Sequence, residues 1–125
     1  MPDQMQINYM TDADFLRALN SESELTITFT GRKTGRKFSI PIWFVSEGGR
    51  VFLLPVKGTA SAWYRGVLKN PEVELEAGGR RVKTRALPVK GKGVEETLER
   101  FRKKYGAGDV KRYYPGQDAA LEISV

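Results

Sequence analysis

The fold class follows from one stretch of sequence, Glu72-Val-Glu-Leu-Glu-Ala-Gly-Gly-Arg-Arg-Val-Lys-Thr-Arg-Ala-Leu87, because its pattern predicts a β-hairpin. If Gly78-Gly79 is a two-residue turn, Ala77 pairs with Arg80 and the register is set outward from there. One face then carries three facing pairs of opposite charge: Glu76 with Arg81, Glu74 with Lys83, and Glu72 with Arg85. The other face is mostly apolar, so we expect one solvated side and one buried side.

Strict alternation upstream predicts further strands. Leu25, Ile27 and Phe29 alternate with three threonines, a period of two that is typical of a half-buried strand. The next strand spans Phe38–Val45, and Pro41 within it predicts a sheet edge or a bulge because proline cannot donate a ladder hydrogen bond. Further strands are predicted at Val51–Val56, after a Gly-Gly turn, and at Ala119–Val125.

Helical periodicity predicts three short helices, at Thr11–Asn20, Ala60–Asn70 and Gly93–Lys104. The segment Gly108–Asp118 is expected to be irregular. About six strands with hairpin connections and about three short helices indicate an α+β fold that is mainly β, a small antiparallel barrel. The length of 125 residues fits a single domain, residues 1–125.

The composition excludes several classes of protein. Hydrophobic residues make up 40% of the chain, enough for a core, yet no apolar run approaches the roughly 20 residues of a membrane span. The N-terminus lacks the features of a secretion signal and the chain has no cysteine, so we expect a cytoplasmic protein. Without histidine or cysteine, Ser-His-Asp catalysis, Cys-His catalysis and most zinc sites are excluded, and we expect no metal. An enzyme of this composition would depend on a bound cofactor.

The strongest candidate site is the basic loop, residues 31–37. Its cations are Arg32, Lys33, Arg36 and Lys37, with Thr34 adding a hydroxyl and Gly35 letting the backbone bend. Together with the formal net charge of +6, the loop favours an anionic partner such as a phosphate or a carboxylate. The alternative is an ordinary solvated hairpin turn, and the sequence alone gives the two interpretations about equal weight.

Lys57 and Gly58 form a second candidate, at the end of a strand. The helix that follows would present unpaired amides near Thr59–Ser61, suited to an anion or an electron-rich ring edge. The structural alternative is a simple strand-to-helix turn. Trp63 and Tyr64 lie on the apolar stripe of that helix, so core packing is the first explanation for both.

Tyr105, Tyr113 and Tyr114 form a third candidate near the C-terminus. Hydroxyl-bearing rings can wall a substrate pocket or supply a proton, which makes Tyr113 and Tyr114 candidate catalytic residues. The alternative, which we favour, is that these rings cover one end of the barrel.

The order of these motifs resembles the deazaflavin-dependent nitroreductase family of the split β-barrel flavin-binding group. The resemblance runs from about residue 28 to residue 89. Its motifs are the loop Thr30-Gly-Arg-Lys-Thr-Gly35 with Pro41 after it, Lys57-Gly58, Trp63-Tyr64, and Asn70-Pro-Glu-Val73.

The resemblance implies a cofactor and a reaction. The cofactor is a deazaflavin (coenzyme F-420) or FMN, with its phosphate and acidic tail on Arg32, Lys33 and Thr34 and its ring near Lys57 and Gly58. Trp63 and Tyr64 match the Trp-Tyr of the family, and the C-terminal tyrosines would approach the substrate. The expected reaction is hydride transfer to a small-molecule substrate such as a quinone or a nitro compound.

The resemblance also implies a homodimer, with Trp43 near the shared face. The alternative function is a non-catalytic barrel that binds an anion, a cofactor or a nucleic acid. We expect no nucleic-acid partner, because the basic residues of the hairpin each face a glutamate and no exposed strand interleaves aromatic with basic residues.

Overall fold

The computed structural model describes residues 14–31 and 33–125 of the chain. Six strands are present: β1 (Glu24–Thr30), β2 (Lys37–Glu47), β3 (Arg50–Leu53), β4 (Glu72–Ala77), β5 (Arg80–Val89) and β6 (Ala120–Ser124). The described part contains four α-helices: α1 (14–20), α2 (Ala62–Lys69), α3 (Lys92–Tyr105) and α4 (Ala107–Tyr113). The N-terminal start predicted for the first helix, at Thr11, lies outside the described residues.

The six strands close into an antiparallel barrel in the order β1-β2-β3-β6-β5-β4, which confirms the predicted fold class. The hairpin has the predicted register, with Glu72 opposite Arg85, Glu74 opposite Lys83 and Glu76 opposite Arg81. Pairing of β1 with β4 completes the ring. Every strand therefore has a neighbour on each side over at least part of its length.

Pro41 lies where β2 has one strand neighbour. It is exposed and pairs with Thr26 of β1, whereas β2 pairs with β3 only over residues 44–47. Within the described part of the chain, residues 37–43 therefore form a sheet edge on their other side. The missing N–H of proline is tolerated at an edge, as the sequence predicts.

The barrel has two hydrophobic cores, one on each side of its wall. Inward-facing side chains such as Ile27, Phe44 and Leu75 form the inner core with Phe15 and Leu19 of α1. Outward-facing side chains of β2, β3 and β6 form the outer core with α3 and α4. Alternation along one strand serves both cores, since Phe44 points inward and Val45 outward.

Three predicted boundaries are corrected by the structure. Part of the segment expected to be irregular is α4, because Val110 and Tyr114 pack in the outer core and this contact outweighs the low helix propensity of Gly108. The strand predicted to reach Val56 ends at Leu53. The helix predicted from Ala60 begins at Ala62, after a 3₁₀ turn at Gly58–Ala60.

Candidate functional site

The basic loop connects β1 to β2 and is closed by its own backbone. Gly31 N–H donates to Arg36 O at 2.7 Å, and Gly35 N–H donates to Gly31 O at 3.1 Å. Gly35 has φ +71°, a left-handed conformation that favours glycine. Lys33, Arg36 and Lys37 are exposed, so their charges are available to a ligand; Arg32 lies outside the described residues.

The hydroxyl of Thr34 accepts from the backbone N–H of Arg36 at 3.2 Å. It therefore shapes the loop, and its own proton is still available for an anion.

Aromatic rings connect the basic loop to the start of α2. Phe38, 45% exposed, stacks on Phe29 with ring centroids 5.9 Å apart, and Phe29 lies 5.9 Å from the ring of Trp63. Trp63 is half-buried against the inner core, and Tyr64 is buried within it. The structure thus brings Trp63 towards the basic loop, while Tyr64 is a core residue as its helical stripe indicates.

The Lys57 turn, residues 55–59, has an unusual backbone. Lys57 has φ +70° and is the one non-glycine residue with positive φ among the described residues; Gly58 follows at φ +55°. Gly58 N–H donates to Pro55 O, Ala60 N–H to Lys57 O, and Ser61 N–H to Gly58 O. The unpaired amides expected from the sequence are therefore not available at these positions, because the short 3₁₀ turn uses them itself.

A carboxylate from the C-terminal region binds the end of this turn at Thr59. Asp118 Oδ1 accepts from Thr59 N–H at 2.9 Å, and Asp118 Oδ2 accepts from the Thr59 hydroxyl at 2.8 Å. These two hydrogen bonds hold the pKa of Asp118 below its usual value. No sequence signal pointed to Asp118, because the pair is separated by 59 residues of chain.

Gln117 contacts the same turn. Its Nε2 donates to Pro55 O at 2.9 Å and to Ala119 O at 2.7 Å, which orients the side-chain amide. Its Oε1 is buried and has no hydrogen-bond partner among the described residues. Residues 117 and 118 therefore both fasten the Lys57 turn.

The C-terminal tyrosines surround Trp43 on the outside of β2. Tyr105 stacks on Trp43 with centroids 4.2 Å apart and an interplanar angle of 7°, and the Tyr113 ring approaches Trp43 edge-on at 5.4 Å. Tyr114 is only 6% exposed, and burial raises its pKa. Its position is suited to packing in the outer core, whereas Tyr113 is 46% exposed and accessible to a ligand.

Tyr105 and Lys104 tie α3 to β2, a role that the sequence did not reveal. Tyr105 Oη accepts from Phe44 N–H at 2.9 Å and lies 2.7 Å from the carbonyl oxygens of Phe44 and Ser23. Burial raises the pKa of Tyr105 to about 12. Lys104 Nζ donates to Phe44 O at 2.8 Å and lies 3.6 Å from the centre of the Phe44 ring, and burial lowers its pKa.

The outer groove is a cavity of about 400 Å³ on the solvated face of the barrel, between β1, β4 and β5. Thr28 and Thr30 line it on one side, and Lys83 and Arg85 line it on the other. Lys37, the last residue of the basic loop, also lines the groove, whereas Lys57 and Trp63 do not.

The three pairs of opposite charge in the hairpin face each other as predicted, but only Glu76 and Arg81 of these facing pairs form an ion pair. Arg81 binds two glutamates, with N–O distances of 3.8 Å to Glu74 and 3.5 Å to Glu76. Among the residues that the structure describes, Lys83 and Arg85 form no ion pair within 4.0 Å, although each faces a glutamate across the ladder. Lys83 and Arg85, two of the three cations in the outer groove, are therefore less neutralised than the register alone suggests.

Residues 14–31 and 33–125 contain neither a metal-binding cluster nor a membrane-spanning helix. No group of three or more acidic side chains there is arranged to hold a metal ion. No helix in the same ranges is long and apolar enough to span a membrane.

Comparison with known proteins gives one family match and many structural matches. Residues 3–125 match the family described as F420H(2)-dependent quinone reductase. A solved F420-H2 dependent reductase is 21% identical with a TM-score of 0.67, and the alignment covers 82% of this chain and 95% of that one.

Two other solved structures share the fold. A protein described as a domain-swapped dimer is 18% identical over 99% of this chain and 100% of its own, with a TM-score of 0.66. A heme storage protein from Vibrio cholerae is 15% identical over 90% of this chain and 87% of its own, with a TM-score of 0.69. At these identities the structural matches establish the barrel fold alone.

Proposed function

The chain belongs to the F420H(2)-dependent quinone reductase family, and on this premise we propose that it is an oxidoreductase using a reduced deazaflavin. It transfers a hydride to a quinone, a nitro compound or a similar small acceptor. The observation that carries the proposal is the family match over residues 3–125, nearly the whole chain. The match favours a deazaflavin over FMN as the cofactor.

The residues of the basic loop suit the anionic part of such a coenzyme. Lys33, Arg36 and Lys37 are exposed, and the loop backbone is already closed by its own hydrogen bonds. In the proposal these residues, with Arg32, Thr34 and Gly35, bind the phosphate and the acidic tail. Arginine offers a forked donor to a phosphate or carboxylate, and lysine adds a point charge.

Lys57 and Gly58 suit the ring part. A bound reduced deazaflavin supplies the hydride, and the protein supplies position and charge. In the proposal the exposed side chain of Lys57 brings its ammonium group beside the ring edge, and Gly58 gives the turn the left-handed backbone that follows Lys57. Trp63, at the start of α2 and half-buried, bounds the ring region on the side of the basic loop.

The acceptor side of the proposal belongs to the C-terminal tyrosines. Tyr113 is accessible and contacts the acceptor in the proposal. Tyr114 is buried beside Phe101 and Trp43 and has a packing role. Replacing Tyr113 with Phe should therefore raise the KM for the acceptor and leave the Kd for the coenzyme unchanged.

A fluorescence titration tests the proposal directly. The purified protein is titrated with the deazaflavin coenzyme and, in parallel, with FMN. We expect saturation by the deazaflavin at micromolar concentration, and turnover of a quinone or nitro acceptor by the loaded protein. No saturable binding of the deazaflavin would refute the proposed function.

A matched pair of charge reversals tests the basic loop. Arg36→Glu should weaken coenzyme binding by about tenfold or more, since a charge-assisted hydrogen bond is lost and a repulsion is gained. Lys92→Glu, an exposed lysine at the start of α3, makes the same change in net charge away from the loop. Equal losses of affinity in the two variants would mean that only the overall charge matters.

A second candidate function is a non-catalytic module that binds anions. It is favoured by Lys83 and Arg85, which form no ion pair in the described part of the chain. They lie with Lys37 in the outer groove, where three cations outnumber the two carboxylates of Glu72 and Glu74. Filter binding of a single-stranded RNA across salt concentrations separates this function from the first. Phosphate contacts would give an affinity that falls steeply with salt, whereas the redox proposal expects only weak binding.

A homodimer and a cytoplasmic location complete the proposal. The domain-swapped dimer among the similar structures supports pairing of two chains, as does the family resemblance. Light scattering at high protein concentration should give twice the mass of one chain, and a monomer would contradict the expectation.

A further inference from the structure

The backbone conformation of Lys57 needs outside support. A residue with a Cβ is unfavourable at φ +70°, and such conformations persist where surrounding contacts hold them in place. The side chain of Lys57 is exposed, so its own packing does not provide that support.

The support comes from two consecutive residues that are distant in sequence. Gln117 Nε2 binds Pro55 O before the left-handed pair of residues, and the carboxylate of Asp118 binds Thr59 N–H and its hydroxyl after them. Lys57 and Gly58 are thus bracketed by contacts on both sides. Arg65 Nε adds a hydrogen bond of 3.0 Å to Thr59 O from α2.

Gly58 shows how closely the carboxylate approaches. A Cβ placed on Gly58 would overlap Asp118 Oδ1 and lie 3.1 Å from its Cγ. The absence of a side chain therefore serves the contact with Asp118 as well as the positive φ. A side chain of the protein itself therefore occupies the space that the missing side chain of Gly58 leaves.

We propose that Gln117 and Asp118 form a clamp on the Lys57 turn and that Asp118 is a positioning residue for Lys57. The inference rests on the proposed function, in which Lys57 meets the coenzyme ring. The clamp fixes the backbone conformation at Lys57. This conformation sets the direction in which the Lys57 side chain points. Asp118 acts through Lys57 and does not itself touch the coenzyme.

A double-mutant cycle tests the positioning role. The Kd for the deazaflavin coenzyme is measured for the wild-type protein, Lys57→Ala, Asp118→Ala and the double variant. We expect each single variant to bind about tenfold more weakly, and the double variant to bind no more weakly than Lys57→Ala. A further loss in the double variant, equal to that of Asp118→Ala alone, would show that Asp118 acts independently of Lys57 and overturn the inference.

Amide hydrogen exchange tests the clamp without any coenzyme. Asp118→Ala should speed exchange at Thr59 N–H about tenfold or more, because the amide loses its acceptor. Asp118→Asn keeps the shape and one acceptor oxygen, so it should retain slow exchange and most of the coenzyme affinity. Unchanged exchange at Thr59 in Asp118→Ala would refute the clamp.

Two controls separate the outcomes. Asp109→Ala removes an exposed aspartate of the neighbouring α4 and should alter neither the Kd nor the exchange at Thr59. If the wild-type protein fails to bind the coenzyme, the proposed function and the positioning role fall together. The exchange result would still decide whether the clamp exists.

Discussion

At the scale of single residues, the addition of one methyl group at Gly58 should be costly. Gly58→Ala adds a Cβ both at φ +55° and against the Asp118 carboxylate. We expect it to lower the free energy of unfolding by about 2 kcal/mol or more, measured by urea denaturation.

Gly48 offers a matched control for this prediction. It has φ +58°, but a Cβ there would meet nothing within 4 Å. Gly48→Ala should therefore lower the free energy of unfolding by only about 1 kcal/mol, the cost of a left-handed backbone at alanine. The double variant Gly58→Ala/Asp118→Ala should recover part of the loss. Equal costs at the two glycines would mean that the contact with Asp118 is unimportant.

Asp118 should also make stability depend on pH. Hydrogen bonds from the backbone N–H and hydroxyl of Thr59 lower its folded-state pKa, and Tyr64 and Arg65 of α2 face the same turn. The stabilisation is fully present above about pH 4, the usual aspartate pKa, and is lost as the pH falls through the lower folded value.

The urea midpoint of the wild-type protein should therefore exceed that of Asp118→Asn at pH 7, and the difference should shrink towards pH 3. Asp109→Asn should show no comparable change. A difference between the wild-type protein and Asp118→Asn that does not vary with pH would contradict the prediction.

At the scale of elements, Gly106 separates α3 from α4. It has φ +97° and ψ 143°, a conformation that glycine adopts readily and other residues do not. Its N–H donates to Arg102 O at 2.9 Å. Gly106→Ala should destabilise the protein by about 1–3 kcal/mol, because the break between the helices becomes strained.

Gly108, two residues on, predicts the opposite result. It lies within α4, and a Cβ there would meet nothing within 4 Å. Gly108→Ala should stabilise the protein by about 0.5 kcal/mol, because alanine has a higher helix propensity than glycine and position 108 lies in the first turn of α4. Both variants are compared by thermal unfolding, and changes of the same sign would refute the description of this helix pair.

The elements also show how far the sequence could lead. The alternating threonines of β1 and the Gly78-Gly79 turn are local signals, and both predicted the correct strand or register. The ion pairs were not predictable, because Arg81 reaches diagonally to Glu74 and leaves Lys83 unpaired within the described part of the chain. The register fixes which backbone positions face each other, but a long side chain can reach both the opposite and the diagonal neighbours.

At the scale of the whole molecule, two cores share one wall and should unfold together. Each core holds one tryptophan: Trp63 packs against the inner core and Trp43 against the outer core. The variants Trp43→Phe and Trp63→Phe each leave a single fluorescent reporter. Their urea unfolding curves should coincide with those measured by circular dichroism. Separate transitions for the two reporters would show that the outer core opens independently.

Only part of the candidate site can be predicted from local sequence patterns. The basic loop and Lys57-Gly58 can be proposed from the sequence, since each is a local cluster of charge and glycine. Gln117 and Asp118 cannot, because their partners lie about sixty residues away and only the closed barrel brings them together. The sequence singles out Tyr105 as an aromatic residue. Its hydrogen bonds to β2 cannot be predicted from the sequence, because they depend on how α3 packs against the barrel.

The clamp precedes β6 directly in the chain, and this has a consequence for the order of events during synthesis. The ribosome synthesises the Lys57 turn long before Asp118. Strand β6, which pairs with β3 and β5, is synthesised after Asp118. Contacts of long sequence separation form late in folding. A nascent chain that has emerged only as far as α3 therefore carries every charge of the basic loop but lacks the partner that sets Lys57. We expect coenzyme capture to be among the last abilities this protein acquires.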